Sequence, residues 1–321
     1  MDPGGTGGPR IGVTVAAHIP PAGFVAYVRR AEQLGFHEVW LVEDCFLHGA
    51  FSQAATALAA TTSLHVGLGI IPAAARNVAF AAMEISTLAG LYPGRLTVGV
   101  GHGMPDWLRQ AGAWPSSPLT LLDEYLRVLR RLLAGEHVDF GGRYIRLSDV
   151  RLGYPPAEPP KVLAGVRSPR SLRLAGQVAQ GTVLAEPVTP EYLAFVRAET
   201  GPDEDHEIVA YNLASVDDDP GVARGRVRGP LAVIGERDWA PHTAVLDFAT
   251  DLVTLRNSTE SSGAFAAALP DAWVDRLAIV GTPATAREQV RSLHRGGADR
   301  VVLIPAYPDL LPALDSLARV L

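Results

Sequence analysis

The chain has one cysteine, one lysine and three methionines in 321 residues, and no apolar run long enough to span a membrane. The lone Cys45 excludes an internal disulfide and any metal site built on several thiolates, and it fits a reducing cytosol, so a cytoplasmic location is expected. A spanning helix would need about 20 consecutive apolar residues, and none is present, which argues against a membrane role. Lys161 stands alone among cations that are otherwise all arginine. That imbalance reads as the coding bias of a GC-rich genome, and an AT-rich source genome would overturn it. Basic residues are also the minority: 28 Lys and Arg against 34 Asp and Glu leave a net charge of −6. With no basic stripe interleaved with aromatics, nucleic acid is excluded as a partner. No His-Glu-x-x-His and no three ligands at metal spacing occur, so no metal is expected. Residues 1–10, rich in Gly and Pro and without a signal-peptide core, are expected to form a flexible leader.

What the sequence has in quantity is a repeat of short apolar strand and amphipathic helix, the pattern of a parallel sheet covered by helices. About eight units can be counted, the number that closes a (β/α)8 TIM barrel, so one barrel domain is expected over residues 11–321. The predicted strands are 11–16, 38–42, 65–70, 96–100, 162–165, 182–185, 207–216 and 301–304. Helices are expected over 22–34, ended by Gly35, over 52–61, 78–91 and 283–295, from Pro169 onward, and where Leu122, Leu126, Leu129 and Leu133 share a face. Gly141-Gly142 suggests a surface hairpin over about 137–147. From about 217 to 276 the rhythm lapses into helical segments, read as an insertion before the last strand-helix unit.

In such a barrel the residues that follow each strand share one rim, where the chemistry of the fold resides. This rule gathers His18, then Glu43, Asp44, Cys45 and His48, then Ile70 and Arg76, then His102 and Met104, then Val166, Arg167 and Ser168. The segment Gly99-Val100-Gly101-His102-Gly103 is either a tight turn after a core strand or a place where a flat group approaches the backbone. It is no dinucleotide fingerprint, because its third glycine falls too early and no helix opens on it. Gly165-Val166-Arg167-Ser168-Pro169 precedes a helix with Ser168 as cap and Pro169 at its first position. The segment is either an ordinary capped helix with a solvated arginine or a phosphate cradle of free amides, helix dipole and Arg167. His102, His18 and His48 are candidate proton donors near neutral pH. Cys45, Phe46, Met104 and Trp107 are candidate walls of a largely apolar substrate pocket.

Three elements, Trp40-Leu41-Val42-Glu43-Asp44, Gly67-Leu68-Gly69-Ile70-Ile71-Pro72 with Arg76, and Pro93-Gly94-Arg95 through Gly103, together resemble the bacterial luciferase-like monooxygenase superfamily. The chain is especially similar to the branch that uses the deazaflavin coenzyme F420, which includes methylenetetrahydromethanopterin reductase and a glucose-6-phosphate dehydrogenase. The resemblance runs from the first strand to the last, and Pro169–Gly181 stands where the family has an Ala-Gly-x-x-Ala-Asp-Gly pattern. It implies a TIM barrel and coenzyme F420 as cofactor, with FMN as the alternative. By position, Asp44 would lie beside the deazaflavin ring, Gly69-Ile70 would form a non-prolyl cis peptide backing it, His102 would contact it, and Gly165, Val166, Arg167 and Ser168 would hold the phosphate tail.

The departures matter too. Met104 stands where the sugar-phosphate dehydrogenases of the branch have a catalytic glutamate, and Cys45 where they have histidine. Phosphosugar oxidation is therefore not expected. Gln180 for aspartate and Val78 for proline read as structural changes. The expected activity is hydride transfer from reduced coenzyme F420 to an electron-poor C=C or C=N bond of a small organic molecule. The alternatives are an FMN-dependent monooxygenase and a non-catalytic ligand-binding barrel. A homodimer is expected, and the small residues of 54–60 and 79–82 either form its helix interface or pack on the barrel.

Overall fold

Backbone pairing starts at Arg10, whose strand lies against Arg300 near the other end of the sequence. The computed structural model describes residues 8–321, so most of the expected leader lies outside the described residues. Eleven strands follow in order: β1 (Arg10–Thr14), β2 (Glu38–Leu41), β3 (His65–Pro72), β4 (Leu96–Gly101), β5 (Val138–Gly141), β6 (Arg146–Val150), β7 (Lys161–Gly165), β8 (Gly181–Leu184), β9 (Glu207–Val216), β10 (Ile279–Gly281) and β11 (Arg300–Pro305). β1-β2-β3-β4-β7-β8-β9-β11 pair in parallel, and β11 returns to β1, which closes the expected (β/α)8 barrel.

The short β10, not predicted, adds in parallel to the far end of β9 at Ala214–Val216. The ten-residue β9 outruns its barrel neighbours and leaves an edge there to be paired. The hairpin is β5 and β6, with Phe140 opposite Leu147 and its second strand two residues later than expected. The cause is Glu124, whose carboxylate accepts the amides of Arg143, Tyr144 and Ile145 at 2.7, 2.9 and 2.9 Å and holds them in the turn.

Helices start and stop where the sequence punctuates them. Gly35 ends the helix Pro21–Leu34 with φ +90°, a conformation that costs glycine nothing, and Asn77 caps Val78–Leu91 by accepting the Ala79 amide at 2.9 Å. The segments between β9 and β10 enclose a cluster of their own, including Leu231, Ile234, Leu252, Phe265 and Leu277.

Inside the barrel, Trp40, Leu163, Val183, Val209, Tyr211 and Val302 form a buried plug. Below it the N-terminal ends of the strands carry a buried ionic group. Glu38 accepts from Trp40 Nε1 at 2.6 Å and from Arg300 Nη1 at 3.1 Å, Arg300 also pairs with Glu207, and the single lysine, Lys161, donates to Glu207 at 2.7 Å. Charges buried this way must be paired, since a partner left alone would bear the full desolvation cost. That end of the barrel is closed, and the opposite rim is free to hold a site.

Candidate active site

A cleft of about 580 Å³ opens at the carboxyl ends of the strands. Its floor is Gly69-Ile70, whose peptide is cis, as the resemblance placed it, and the pairing of β3 with β4 shifts there between Leu68 and Ile71. The alternating glycines of β4 serve this floor. A Cβ on Gly99 or Gly101 would come within 3.1 Å of Ile70 side-chain atoms, and one on Gly165 would lie 2.3 Å from Ile70 Cγ2. These glycines thus leave room for the Ile70 side chain, a packing role that the sequence did not reveal.

Asp44 and Glu43 stand on one side of the cleft. Arg76 grips the Glu43 carboxylate with both terminal nitrogens, at 2.5 and 2.6 Å, and the Ala50 amide adds a third bond at 3.1 Å. This bidentate pair ties the loop after β2 to the loop after β3. Burial pushes the Asp44 carboxyl above the ordinary carboxylate range. Met104, Trp107, Trp114 and Pro118 form an apolar wall.

At the far end, Gly165, Val166, Arg167 and Ser168 lead into the helix Pro169–Val178, whose first-turn N–H groups have no intrahelical partner. Ser168 and Pro169 occupy the N-cap and first positions as expected, but the Ser168 side chain makes no capping bond. Its hydroxyl donates to Ser171 Oγ at 3.2 Å, and Ser171 Oγ lies 3.2 Å from His102 Nε2, so the glycine loop and the helix start are joined by a short polar chain. Burial, with the Arg167 charge acting in the same direction, holds His102 below the usual histidine value. The Pro118 carbonyl beside the ring opposes that shift, and Nδ1 is buried without a well-formed hydrogen bond.

Of the candidate residues, Asp44, Gly69, Ile70, His102, Met104, Trp107, Gly165, Val166, Arg167 and Ser168 meet in this cleft. His18, His48, Cys45 and Phe46 lie outside its lining. His18 is exposed, because the loop after β1 turns outward before Ile19 buries. His48 is tied to the Ile19 carbonyl at 2.9 Å, which spends its ring on bracing two loops. Phe46 is 67 % exposed, and Cys45 precedes it across a second cis peptide.

Sequence reasoning missed the residues that the long connection after β9 contributes, Arg237, Asp238 and Pro241. Glu186, just past the end of β8, stands near this rim but outside the cleft lining. The rule used for the other strands reaches Glu186, because it directly follows the predicted strand 182–185. Burial raises its carboxyl above the ordinary range, and the Asp44 charge adds to that while Arg167 opposes it. The Asp44 charge is thus felt at Glu186, while burial alone accounts for the shift at Asp44.

The family described as luciferase-like monooxygenase matches residues 5–300. The chain belongs to that family. Among its relatives is a 5,10-methylenetetrahydromethanopterin reductase from Methanolobus tindarius, 25% identical over 287 residues, covering 86% of this chain and 88% of the relative. An F420-dependent glucose-6-phosphate dehydrogenase from Intrasporangium calvum is 28% identical over 344 residues, covering 94% and 97%. Among solved structures, the coenzyme F420 dependent tetrahydromethanopterin reductase from Methanopyrus kandleri superposes with a TM-score of 0.82 at 20% identity, covering 97% of this chain and 98% of that one. The fold and the family are thus established together, and the chain is an oxidoreductase of the luciferase-like type. Among the described residues no helix is long and apolar enough to cross a membrane, and no three His, Cys, Asp or Glu side chains are grouped to hold a metal ion.

Proposed function

We propose that the protein binds coenzyme F420 in this cleft and transfers a hydride between it and an electron-poor C=C or C=N bond of a small, largely apolar substrate. The observation that carries the reading is the meeting of three features in one cleft: the Gly69-Ile70 cis floor, the Asp44 carboxyl, and the Arg167-bearing helix start. A planar ring with an anionic tail would fit that lining: Gly69, Ile70, His102 and Asp44 would hold the ring, and Gly165, Val166, Arg167 and Ser168 the tail. The buried His102 Nδ1, without a well-formed hydrogen bond, supplies a polar atom still lacking a full partner. When bound in reduced form, the cofactor supplies the hydride.

The protein then contributes position, charge and a proton. Met104, Trp107 and Trp114 exclude water and present an apolar face to the substrate. Burial keeps His102 neutral at pH 7, which suits it to hydrogen bonding better than to donating a proton. Asp44 in the cleft and Glu186 beside it both hold their protons to higher pH than an ordinary carboxyl, and Glu186 is the one we propose as general acid. The lone cysteine favours a cytoplasmic setting.

A second reading takes FMN in the same cleft, since the family is described by its monooxygenases. The separating test incubates the protein with reduced F420 and a panel of electron-poor alkenes and imines, following oxidation of the cofactor and oxygen uptake together. Substrate-dependent oxidation without oxygen uptake is expected. Oxygen uptake with reduced FMN alone would favour the monooxygenase, and binding without turnover would favour a non-catalytic barrel.

We also infer a homodimer. Of the small residues in 54–60 and 79–82, Ala54, Ala57, Ala81 and Ala82 are fully buried on the barrel, while Ala59 is exposed and Ala55, Ala60 and Ala79 are half-buried. The apolar surface left on the helix Val78–Leu91 is Phe80, Met83 and Leu91, exposed by 66, 55 and 65 %. Sedimentation of Phe80→Asp as a monomer beside a wild-type dimer is the expected result.

A further inference from the structure

Residues Pro230–Thr243, two 3-10 turns and one helical turn, form a strap across one side of the cleft, into which Arg237, Asp238 and Pro241 face. The contacts that hold it to the rim converge on one cation and one indole. The Arg167 guanidinium stacks on the Trp239 ring at 4.6 Å and donates to the Asp238 carbonyl at 3.3 Å. Trp239 Nε1 donates to the Glu186 carbonyl at 2.8 Å. Behind it, His242 Nδ1 donates to the Pro187 carbonyl at 3.1 Å and its ring lies 4.4 Å from that of Tyr192, whose hydroxyl donates to the Arg167 carbonyl at 3.0 Å.

Arg167 forms no ion pair among the described residues. A guanidinium has five N–H donors, and a stacked one keeps its edge free for an anion while its face rests on the ring. The strap and any anion at the helix start therefore share one side chain, on different sides of it.

We propose that Trp239 is a positioning residue: its ring sets the Arg167 guanidinium at the anionic end of the cleft, and an anion bound there latches the strap over the barrel mouth. The inference rests on reading Arg167 as the cation that receives the cofactor's tail. Ligand occupancy and strap closure are then linked through differential contacts, as any such coupling requires. The Glu186 carbonyl on Trp239 extends the same link to the acid proposed to deliver the proton.

The test measures hydrogen exchange across 230–243 in the wild-type protein without ligand, with coenzyme F420, and with inorganic pyrophosphate at millimolar concentration, alongside fluorescence titration of the cofactor. Both ligands are expected to slow exchange in the strap, and Arg167→Met is expected to abolish that protection. Trp239→Ala is expected to weaken cofactor affinity about tenfold, the scale of a desolvated cation–π contact. Trp239→Phe, which keeps an aromatic face and loses the indole donor, is expected to recover most of that loss. Failure of both ligands to protect the strap overturns the latch. Equal affinities for Trp239→Ala and wild type overturn it as well, as does a Phe variant no better than Ala. Protection by pyrophosphate in a protein that does not bind F420 supports the latch and overturns the cofactor reading instead.

Discussion

Gly165→Ala tests whether the glycines of the rim exist to seat Ile70. An added Cβ would lie 2.3 Å from Ile70 Cγ2, 3.3 Å from its Cβ and 3.4 Å from its Cγ1. Carbon atoms rest at about 3.5 Å or more, so Cγ2 must retreat by roughly 1.2 Å. Beside it the Cβ positions of Gly99 and Gly101, 3.1 Å from Ile70 Cγ2 and Cδ1, carry no atom because both residues are glycine, so the side chain can give toward β4 or into the cleft. Overpacking of this kind costs about 1 to 3 kcal/mol, which appears as lost stability or, where the side chain swings into the cleft, as a roughly 5- to 150-fold loss of cofactor affinity. Urea unfolding and F420 titration on the wild type, both single variants and the double variant complete the cycle. Ile70→Ala removes Cγ2 and should relieve Gly165→Ala, so the double variant should be less impaired than the singles sum to. Ile70→Val keeps both γ carbons and should give no relief. A Gly165→Ala protein with unchanged stability and affinity, or relief by Val equal to relief by Ala, would refute the packing account.

Two further outcomes follow from the titrating groups. Glu186→Gln keeps the shape and removes the proton, so turnover should fall about 10²- to 10⁴-fold where proton delivery limits the rate. In the wild type the rate should hold at low pH and fall as pH rises through the raised Glu186 value, a limb that the Gln variant should lack; unchanged turnover with that limb intact would remove Glu186 from the mechanism. Burial pushes His65 and His242 from 6.5 to about 3. The unfolded chain therefore binds protons that the folded chain refuses between those values, and stability present above about 6.5 is lost as pH falls, by about 1.4 kcal/mol per pH unit for each histidine. His242→Phe should flatten the dependence between about pH 5 and 6 by that amount relative to wild type, and parallel urea curves for the two proteins would contradict the burial argument.

The barrel was legible because its strands are buried on both faces and read as apolar runs bounded by Gly and Pro, and because Gly35, Asn77 and Pro169 mark helix ends with local chemistry. β10 was not, because three residues carry no period, and its pairing depends on how far β9 outruns its neighbours. The hairpin register was set by Glu124, some twenty residues away, and no local pattern records that bond. At the site, positions just past a strand end were found where the chain turns inward, at Asp44, His102 and Arg167. The same rule misplaced His18 and His48, where the loops turn outward or bond to each other. The strap could not be read at all, since Arg237 and Trp239 follow no strand and reach the rim through a connection whose path only tertiary packing decides.

The central claim is that this cleft takes a deazaflavin. Titrating the purified protein separately with coenzyme F420 and with FMN, following cofactor fluorescence, tests it most directly. Saturable binding of F420, with FMN at least about tenfold weaker, is the predicted result; preference for FMN, or binding of neither, would contradict it.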